Sequence, residues 1–281
     1  MHITKSRFSS LPAKVLWLSD LHFDQTTDEQ QSLLADTLAA LAYDTVIITG
    51  DISSAPHLVR HLRMLADACA PRRLLVVLGN HDYYNGSIRK VREAVARICR
   101  TTRNLTHLGI GDVVALNANT AVIGHDGWAD ARAGWGRRSI IANRDHHSIE
   151  DFRNLTTQEL FSRMESLGRE SATAFRATLP HALRRYRQVV VATHVPPFPS
   201  AAHFNGQTCG PTHQPHFSNL SAGLALIGIA KRFPGRSMTV LAGHTHSPVQ
   251  ARILPNLAVR VAGAQTGKPV IQDILEFASS P

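Results

Sequence analysis

Apolar runs rich in Val, Ile and Leu alternate with helical patterns through the first hundred residues. Three of these runs predict strands because they are apolar throughout, namely 14–20, 45–51 and 73–80. The stretches that follow them begin with helix-capping residues and predict helices, namely 27–42, 53–71 and 87–100. Strands of this kind that alternate with helices indicate a largely parallel sheet covered on both faces.

The pattern becomes less regular after residue 100. A hairpin is predicted at 112–128, and a long helix at 156–186, where Pro180 can break the helix. The remaining predicted elements are strands at 188–194, 237–246 and 257–264 and a helix at 220–233. Two long loops lie between these elements, 129–156 and 195–219. No linker divides the chain, so we predict a single domain over 1–281, with a cap-like insertion around 128–186.

Composition and charge limit the class of protein. The chain has 281 residues and is 43% hydrophobic, which is enough for a sizeable core. No stretch approaches a membrane span, and the N-terminus is no convincing signal peptide, so we predict a cytoplasmic protein with no membrane partner. The three cysteines are scattered, which indicates neither a disulfide framework nor a zinc knuckle. A net charge of +9 permits acidic partners, although the arginines are spread along helices rather than clustered.

Polar side chains follow five of the predicted strands at the point where each strand ends. They are Asp20 and His22, Asp51, Asn80 with His81 and Asp82, His194, and His244 with His246. Ligands of open α/β sheets lie beyond the carboxyl ends of the strands, so five ends that point the same way would gather these side chains. A single histidine after a strand is more often structural, but the ordered set favours a ligand role.

The donor types in this set indicate metal binding. Aspartate, asparagine and histidine without cysteine suit Mn, Fe, Zn, Ni or Co better than a structural zinc. The set offers seven donors, apart from His81 and Asp82, which is more than one tetrahedral ion can use. Two ions about 3.5–4 Å apart, bridged by a carboxylate, would use them all.

The blocks DLH, GD, GNHD, H and GHTH, in this order between residues 20 and 246, resemble those of the calcineurin-like metallophosphoesterases. The resemblance implies a four-layer αββα sandwich, with two mixed β-sheets flanked by helices and a dinuclear metal site at the carboxyl ends of the strands. It implies that Asp51 bridges the two metals. By the same resemblance, one metal is bound by Asp20, His22 and His246, and the other by Asn80, His194 and His244.

His81 and Asp82 are the candidate catalytic residues. The resemblance places His81 near the leaving group of a substrate. We expect Asp82 to accept a hydrogen bond from the second ring nitrogen of His81, which would fix the tautomer and favour a charged ring that donates a proton.

The two long loops are candidates for the walls of a substrate site. The candidate substrate-binding residues are His125, Trp128, His203, Asn205 and His216. A local hydrophobic anchor explains the segment around His125 and Trp128 nearly as well. The arginine excess of 128–186 suits phosphate oxygens, but a solvated helix face explains any single arginine somewhat better.

These observations predict a metal-dependent phosphoesterase. A hydroxide that bridges the two metals would attack the phosphorus of a phosphomonoester or phosphodiester, with a small molecule favoured as the substrate. A nuclease is the alternative within the enzyme class; the positive charge favours it mildly, but the sequence has no basic stripe interleaved with aromatic residues. A non-catalytic metal-binding scaffold on the same fold is the alternative from another class, and the complete ligand set argues against it.

Overall fold

The computed structural model describes residues 12–141 and 143–279 of the chain. Its strands are β1 (Ala13–Leu18), β2 (Thr45–Thr49), β3 (Arg73–Val77), β4 (Leu105–His107), β5 (Val114–Ala115), β6 (Thr120–Gly124), β7 (Gln188–Ala192), β8 (His203–Phe204), β9 (Gln207–Thr208), β10 (Ser237–Ala242), β11 (Val249–Leu254), β12 (Leu257–Val261) and β13 (Ile271–Phe277). Its helices are α1 (Asp28–Ala40), α2 (Ala55–Cys69), α3 (Ile88–Thr101), α4 (Asp145–Ser148), α5 (Thr157–Arg185), α6 (Gln214–Phe217) and α7 (Leu220–Arg232). Residues 1–11, on which the signal-peptide prediction partly rests, lie outside the described residues.

The first large sheet has the strand order β13-β1-β2-β3-β4. Strands β1 to β4 are parallel, and β13 runs antiparallel to β1 at the edge. Leu18 pairs with Ile48, and Thr49 pairs with Val77. The three central strands therefore end at the same edge, where the polar residues of the first three motifs begin.

The second large sheet has the strand order β11-β12-β10-β7-β6-β5. Strands β6, β7, β10 and β12 are parallel, whereas β5 and β11 are antiparallel to their neighbours. Ala192 pairs with both Gly124 and Leu241, so β6, β7 and β10 also end together. The motifs that follow β7 and β10 start from this edge.

Three hydrophobic clusters lie between the four layers of helices and sheets. One packs α1, α2 and α3 against the first sheet, and another packs α5 and α7 against the second. The third lies between the two sheets and includes Trp17, Ile47, Val122 and Leu241. Because apolar side chains on both faces of each sheet are buried, the chain forms the αββα sandwich that the sequence analysis predicted.

The helix α5 differs from its prediction in two ways. It runs without interruption through Pro180. It also packs along α7 and buries Phe175 and Leu179 against the second sheet, in the same cluster as Val189. The second half of the predicted insertion 128–186 therefore packs as part of the outer helical layer, and the cap-like insertion stays a prediction.

The loop 195–219 contains more regular structure than the sequence pattern indicates. Strands β8 and β9 pair as an antiparallel hairpin within it, and α6 follows them. Strands β11 and β13, which lie at the edges of the two large sheets, were not predicted either.

Within residues 12–141 and 143–279, no helix has both the length and the apolar character that a membrane span requires.

Candidate metal centre

The turns that follow β1, β2 and β10 hold one another in place at the carboxyl edge of the sheets. The amides of Asp20 and His22 donate to the carbonyls of Gly50 and Asp51, at 2.9 and 3.0 Å. The amide of His244 donates to Asp20 Oδ1 at 2.9 Å. Turns from both sheets are thus joined into one rigid platform for the side chains that they carry.

Five of the seven predicted metal ligands adopt a left-handed backbone conformation. Their φ angles are 53° at Asp20, 44° at His22, 53° at Asp51, 72° at His244 and 54° at His246. Residues other than glycine adopt this region at a cost of about 1–3 kcal/mol each, and such residues concentrate at functional sites. The backbone strain therefore marks these turns as a site independently of the sequence motifs.

Two glycines allow the turns to approach one another closely. A Cβ atom on Gly79 would overlap the carboxylate of Asp51, and one on Gly50 would overlap the ring of His194. Gly50 also has a φ of +91°, which disfavours any side chain. The glycines of the GD and GNHD motifs are therefore steric requirements of the site.

The first donor group consists of Asp20, His22, Asp51 and His246. Each offers one ligand atom, and these atoms lie within 4.8 Å of one another. His246 Nε2 lies 3.1 Å from His22 Nε2 and 3.4 Å from Asp20 Oδ1. Ligand atoms that each bind the same ion at about 2.0–2.2 Å are separated from one another by similar distances, so the group fits a single metal ion.

The second donor group consists of Asp51, Asn80, His194 and His244. Asn80 Oδ1 lies 3.1 Å from His194 Nε2 and 2.9 Å from His244 Nδ1. Asp51 Oδ1 lies 3.3 Å from His194 Nε2, whereas its Oδ2 lies 3.9 Å from His22 Nε2 in the first group. The two oxygens of Asp51 therefore face different donor groups.

In His194 and His244, a hydrogen bond from one ring nitrogen to a backbone carbonyl determines which nitrogen faces the second donor group. His194 Nδ1 donates to the carbonyl of Thr49 at 2.7 Å, and His244 Nε2 donates to the carbonyl of His216 at 3.0 Å. A carbonyl can only accept, so in the neutral rings the inner nitrogens present lone pairs to Asn80 Oδ1. Three lone pairs this close repel one another unless a cation or a proton lies between them. The residues therefore fit a metal ion.

The electrostatics of these residues agree with this requirement. Burial disfavours charge on both Asp51 and His194, but their mutual attraction outweighs it. The pKa of Asp51 is held well below its usual range, and the pKa of His194 is raised to about 10. A cation held at this position would compete with protonation of His194 for the attraction to Asp51.

Asp145 and Tyr84 orient Asn80, and neither residue was predicted from the sequence. Asp145 Oδ1 accepts hydrogen bonds from Asn80 Nδ2 at 2.8 Å and from the Tyr84 hydroxyl at 2.6 Å. The Asp145 carboxylate holds the Asn80 amide so that Asn80 Oδ1 faces His194 and His244. Tyr84 lies four residues after Asn80, a spacing that was a usable signal, but Asp145, the first residue of α4, lies far away in sequence and had none.

The predicted pairing of Asp82 with His81 is wrong. Asp82 is fully buried and accepts hydrogen bonds from the amides of Ile52 and Ser53, both at 2.9 Å, and of Gly79 at 2.8 Å. Its carboxylate is occupied by the backbone because it points into the turn. Asp82 therefore shapes the loop and does not contact the imidazole of His81.

The ring of His81 lies at the opening of the site. It stacks on Tyr84, with ring centroids 4.2 Å apart, and meets the edge of His22 at 4.5 Å. Unlike Asp20, His22, Asp51 and His194, which are almost fully buried, His81 is only partly buried. The structure thus places His81 beside the first donor group, with its side chain partly exposed.

Behind the GNHD turn, Asp126 is a buried carboxylate that the sequence analysis did not single out. It accepts hydrogen bonds from the Leu78 amide at 2.9 Å, the Tyr83 hydroxyl at 2.7 Å, His107 Nε2 at 2.7 Å and Arg92 Nε at 3.3 Å. Asp126 thereby joins the end of β6 to the loop that carries Asn80.

Two of the predicted substrate-binding residues lie inside the protein. His125 is buried, with its ring against Phe175 of α5, because it points into the outer layer. Trp128 is buried against Tyr83 and Phe152 and belongs to the core around the first sheet. Both predictions need correction, and Trp128 is the hydrophobic anchor that was the alternative.

Of the three candidates in the second loop, only His216 differs from its prediction, and His203 and Asn205 stay predictions. His216 is fully buried and contacts Ser139 through its ring, so only its carbonyl serves the site, through His244. Asn205 occupies the tip of the β8–β9 hairpin, where its φ of 51° serves the turn. The ring of His203 contacts Thr208 across the same hairpin at 3.3 Å.

The sequence comparison decides the family. The sequence model that matches residues 13–248 describes the calcineurin-like phosphoesterases. The chain belongs to this family. Among curated proteins, none matches the sequence at a significant level.

Solved structures agree with the calcineurin-like fold. The protein TT1561 of Thermus thermophilus is 13% identical, with a TM-score of 0.56, over 96% of this chain and 100% of its own. A dimetal phosphatase from Danio rerio, LOC 393393, is 15% identical, with a TM-score of 0.58, again over 96% of this chain and 100% of its own. At these identities the similarity shows the fold alone.

As a calcineurin-like phosphoesterase, the protein is a metal-binding hydrolase of phosphoric esters. This agrees with the reaction class that the sequence analysis predicted.

Proposed function

We propose that this protein hydrolyses small phosphomonoesters or phosphodiesters at a two-metal centre that shares Asp51. The observation that carries the proposal is the position of Asp51, whose two oxygens face two separate donor groups. A carboxylate in this position suits a bridging ligand. The Danio rerio protein with the same fold is described as a dimetal phosphatase, which supports the same number of ions here.

The nitrogen and oxygen donors suit Mn, Fe, Zn, Ni or Co. When bound, two such ions would neutralise phosphoryl charge and lower the pKa of a water. The residues of the chain supply the remaining chemistry. Asp145 keeps the Asn80 oxygen directed at the second group, and the carbonyls of Thr49 and His216 keep the ring nitrogens of His194 and His244 directed inward.

His81 is the proposed proton donor to the leaving oxygen. Its ring is held by Tyr84 and His22, and among the described residues no side chain forms a hydrogen bond with it. Both ring nitrogens are therefore available to a substrate. General acid catalysis by a positioned histidine contributes typically about 10²- to 10⁴-fold to a rate.

The arginines near the site support a small substrate over a polynucleotide. Arg137 pairs with Glu165 at 2.8 Å, and Arg132 donates to Ser221. Arg153 donates to the carbonyl of His147. Because these three side chains already have partners within the protein, they are less available for the free basic stripe that a nuclease needs. The cytoplasmic location and the single-domain assignment stay predictions of the sequence.

The test is a turnover assay on the Mn²⁺-loaded protein with p-nitrophenyl phosphate, bis(p-nitrophenyl) phosphate and supercoiled plasmid. We expect hydrolysis of at least one nitrophenyl ester, its loss with EDTA and its return with Mn²⁺. Plasmid cleavage without ester turnover would favour the nuclease alternative. No turnover of any substrate at full metal content would favour the scaffold alternative.

A further inference from the structure

The β8–β9 hairpin lies beside the metal centre. Asn205 and Gly206 form its tip, with φ angles of 51° and 77°. Two consecutive positive φ values and an Asn-Gly pair are typical of a tight type I′ hairpin turn. The Gly206 amide donates to Ser247 Oγ at 3.4 Å, and Ser247 directly follows the donor His246. The hairpin therefore rests on one of the turns that build the site.

This hairpin presents an aromatic ring that the hydrophobic core does not use. The ring of Phe204 stacks on His213, with centroids 5.8 Å apart and planes inclined by 13°. Both rings contact Phe217, at 5.9 and 6.0 Å, and Phe217 contacts the ring of His244 at 5.3 Å. Phe204 is nevertheless 47% exposed. Phe204, His213 and Phe217, here called the aromatic cluster, thus extend from a metal donor to the surface.

We propose that the aromatic cluster binds a flat aromatic ring in the leaving group of the substrate. This inference rests on the proposed function, because it assigns a chemical group to the ester that is hydrolysed at the metal centre. A half-exposed ring that already packs against two other rings stacks on a planar ligand with little further loss of side-chain entropy. Stacking of a nucleobase on an aromatic side chain is known to strengthen binding in a way that alanine substitution removes.

The position of Phe204 also limits the length of the substrate. Two ring-to-ring steps, of 5.9 and 5.3 Å, separate Phe204 from the ring of His244. A ring joined to the phosphate through a sugar reaches farther than a ring bonded directly to the ester oxygen, so this arrangement favours the longer form. A nucleotide, with its base, sugar and phosphate, has the form that the cluster and the metal centre require together.

The test compares two phosphonates that differ only in the base, namely the analogues of AMP and of ribose 5-phosphate. Their C–P bond is not hydrolysed, so calorimetric titration of the Mn²⁺-loaded protein gives Kd for each. We expect the wild type to bind the AMP analogue roughly tenfold or more tightly than the ribose analogue. Phe204→Ala should bring this ratio close to one, and Phe204→Trp should preserve it.

Leu224→Ala is the matched control, because Leu224 is a 52% exposed apolar side chain on α7. It should keep the wild-type ratio. A wild-type ratio near one, or an unchanged ratio in Phe204→Ala, would overturn the inference. Turnover of nitrophenyl esters is measured in parallel. Turnover without base preference overturns the aromatic site alone, whereas a Phe204-dependent preference without turnover contradicts the proposed hydrolysis alone.

Discussion

Replacing Asp145 by alanine removes the acceptor that orients Asn80. The carboxylate accepts hydrogen bonds of 2.8 Å from Asn80 Nδ2 and 2.6 Å from the Tyr84 hydroxyl. Without it, the amide can turn over and present its NH2 group to His194 and His244, which would repel a cation. Loss of an outer partner of a metal ligand typically costs about 10- to 100-fold in metal affinity. That factor equals about 1.4–2.7 kcal/mol, which matches the value of one hydrogen bond to a charged group.

The assay is calorimetric titration of the metal-free protein with Mn²⁺, which resolves the affinities of the two binding steps. Asp145→Ala should weaken one step by roughly 10- to 100-fold and leave the other much closer to the wild type. Asp145→Asn, which keeps an acceptor oxygen, should lose less. Glu150→Ala is the control, because Glu150 is an exposed acid shortly after α4 that pairs with Lys90. Wild-type affinities for both ions in Asp145→Ala would refute the reasoning.

Three further substitutions have defined outcomes. His81→Ala should slow hydrolysis by roughly 10²- to 10⁴-fold, and by less for nitrophenyl than for alkyl esters; equal losses would exclude an acid role. Gly79→Ala should lower metal content, since its Cβ would overlap the Asp51 carboxylate; elemental analysis showing native content contradicts this. Asp126→Asn should lower the free energy of unfolding in urea by about 2–4 kcal/mol at pH 7. Burial raises the pKa of Asp126, but His107 and Arg92 hold it below its usual value, so the stabilisation is present above about pH 4 and is lost as the pH falls. If Asp126→Asn lowered the free energy of unfolding by the same amount at about pH 3 as at pH 7, this prediction would be contradicted.

The donor side chains could be predicted because they follow strands whose direction the sequence indicates. Parallel strands that end in register bring Asp20, Asp51 and Asn80 to one edge of the sheet. This proximity can be predicted without knowing the conformation of any loop. The positive φ angles at Asp20 and Asp51 were not predictable, since aspartate alone does not require them.

The catalytic pairing failed because neighbours in sequence need not face one another. Residues His81–Tyr83 form a short 3-10 turn, and within it Asp82 turns towards three backbone amides while His81 faces outward. A histidine can pair with an acid that is distant in sequence, so adjacency in sequence alone does not identify its partner.

The loop residues were the hardest to predict. Asn205 was expected to bind substrate, yet Asn-Gly between two extended pairs is a turn signal, and the neighbouring Phe204 is the exposed ring. Asp145 and His216 act through contacts with residues that lie far away in sequence, Asn80 and His244. Such contacts leave no periodic pattern in a single sequence.

The central claim is that two metal ions share Asp51, and the most direct test is the metal content per chain of the wild type and of Asp51→Asn. Elemental analysis after loading with Mn²⁺ and removal of free ions should give about two ions for the wild type. The variant should lose occupancy of both sites, because each donor group contains one oxygen of Asp51. A single ion in a fully active wild type, or two tightly held ions in Asp51→Asn, would contradict the account.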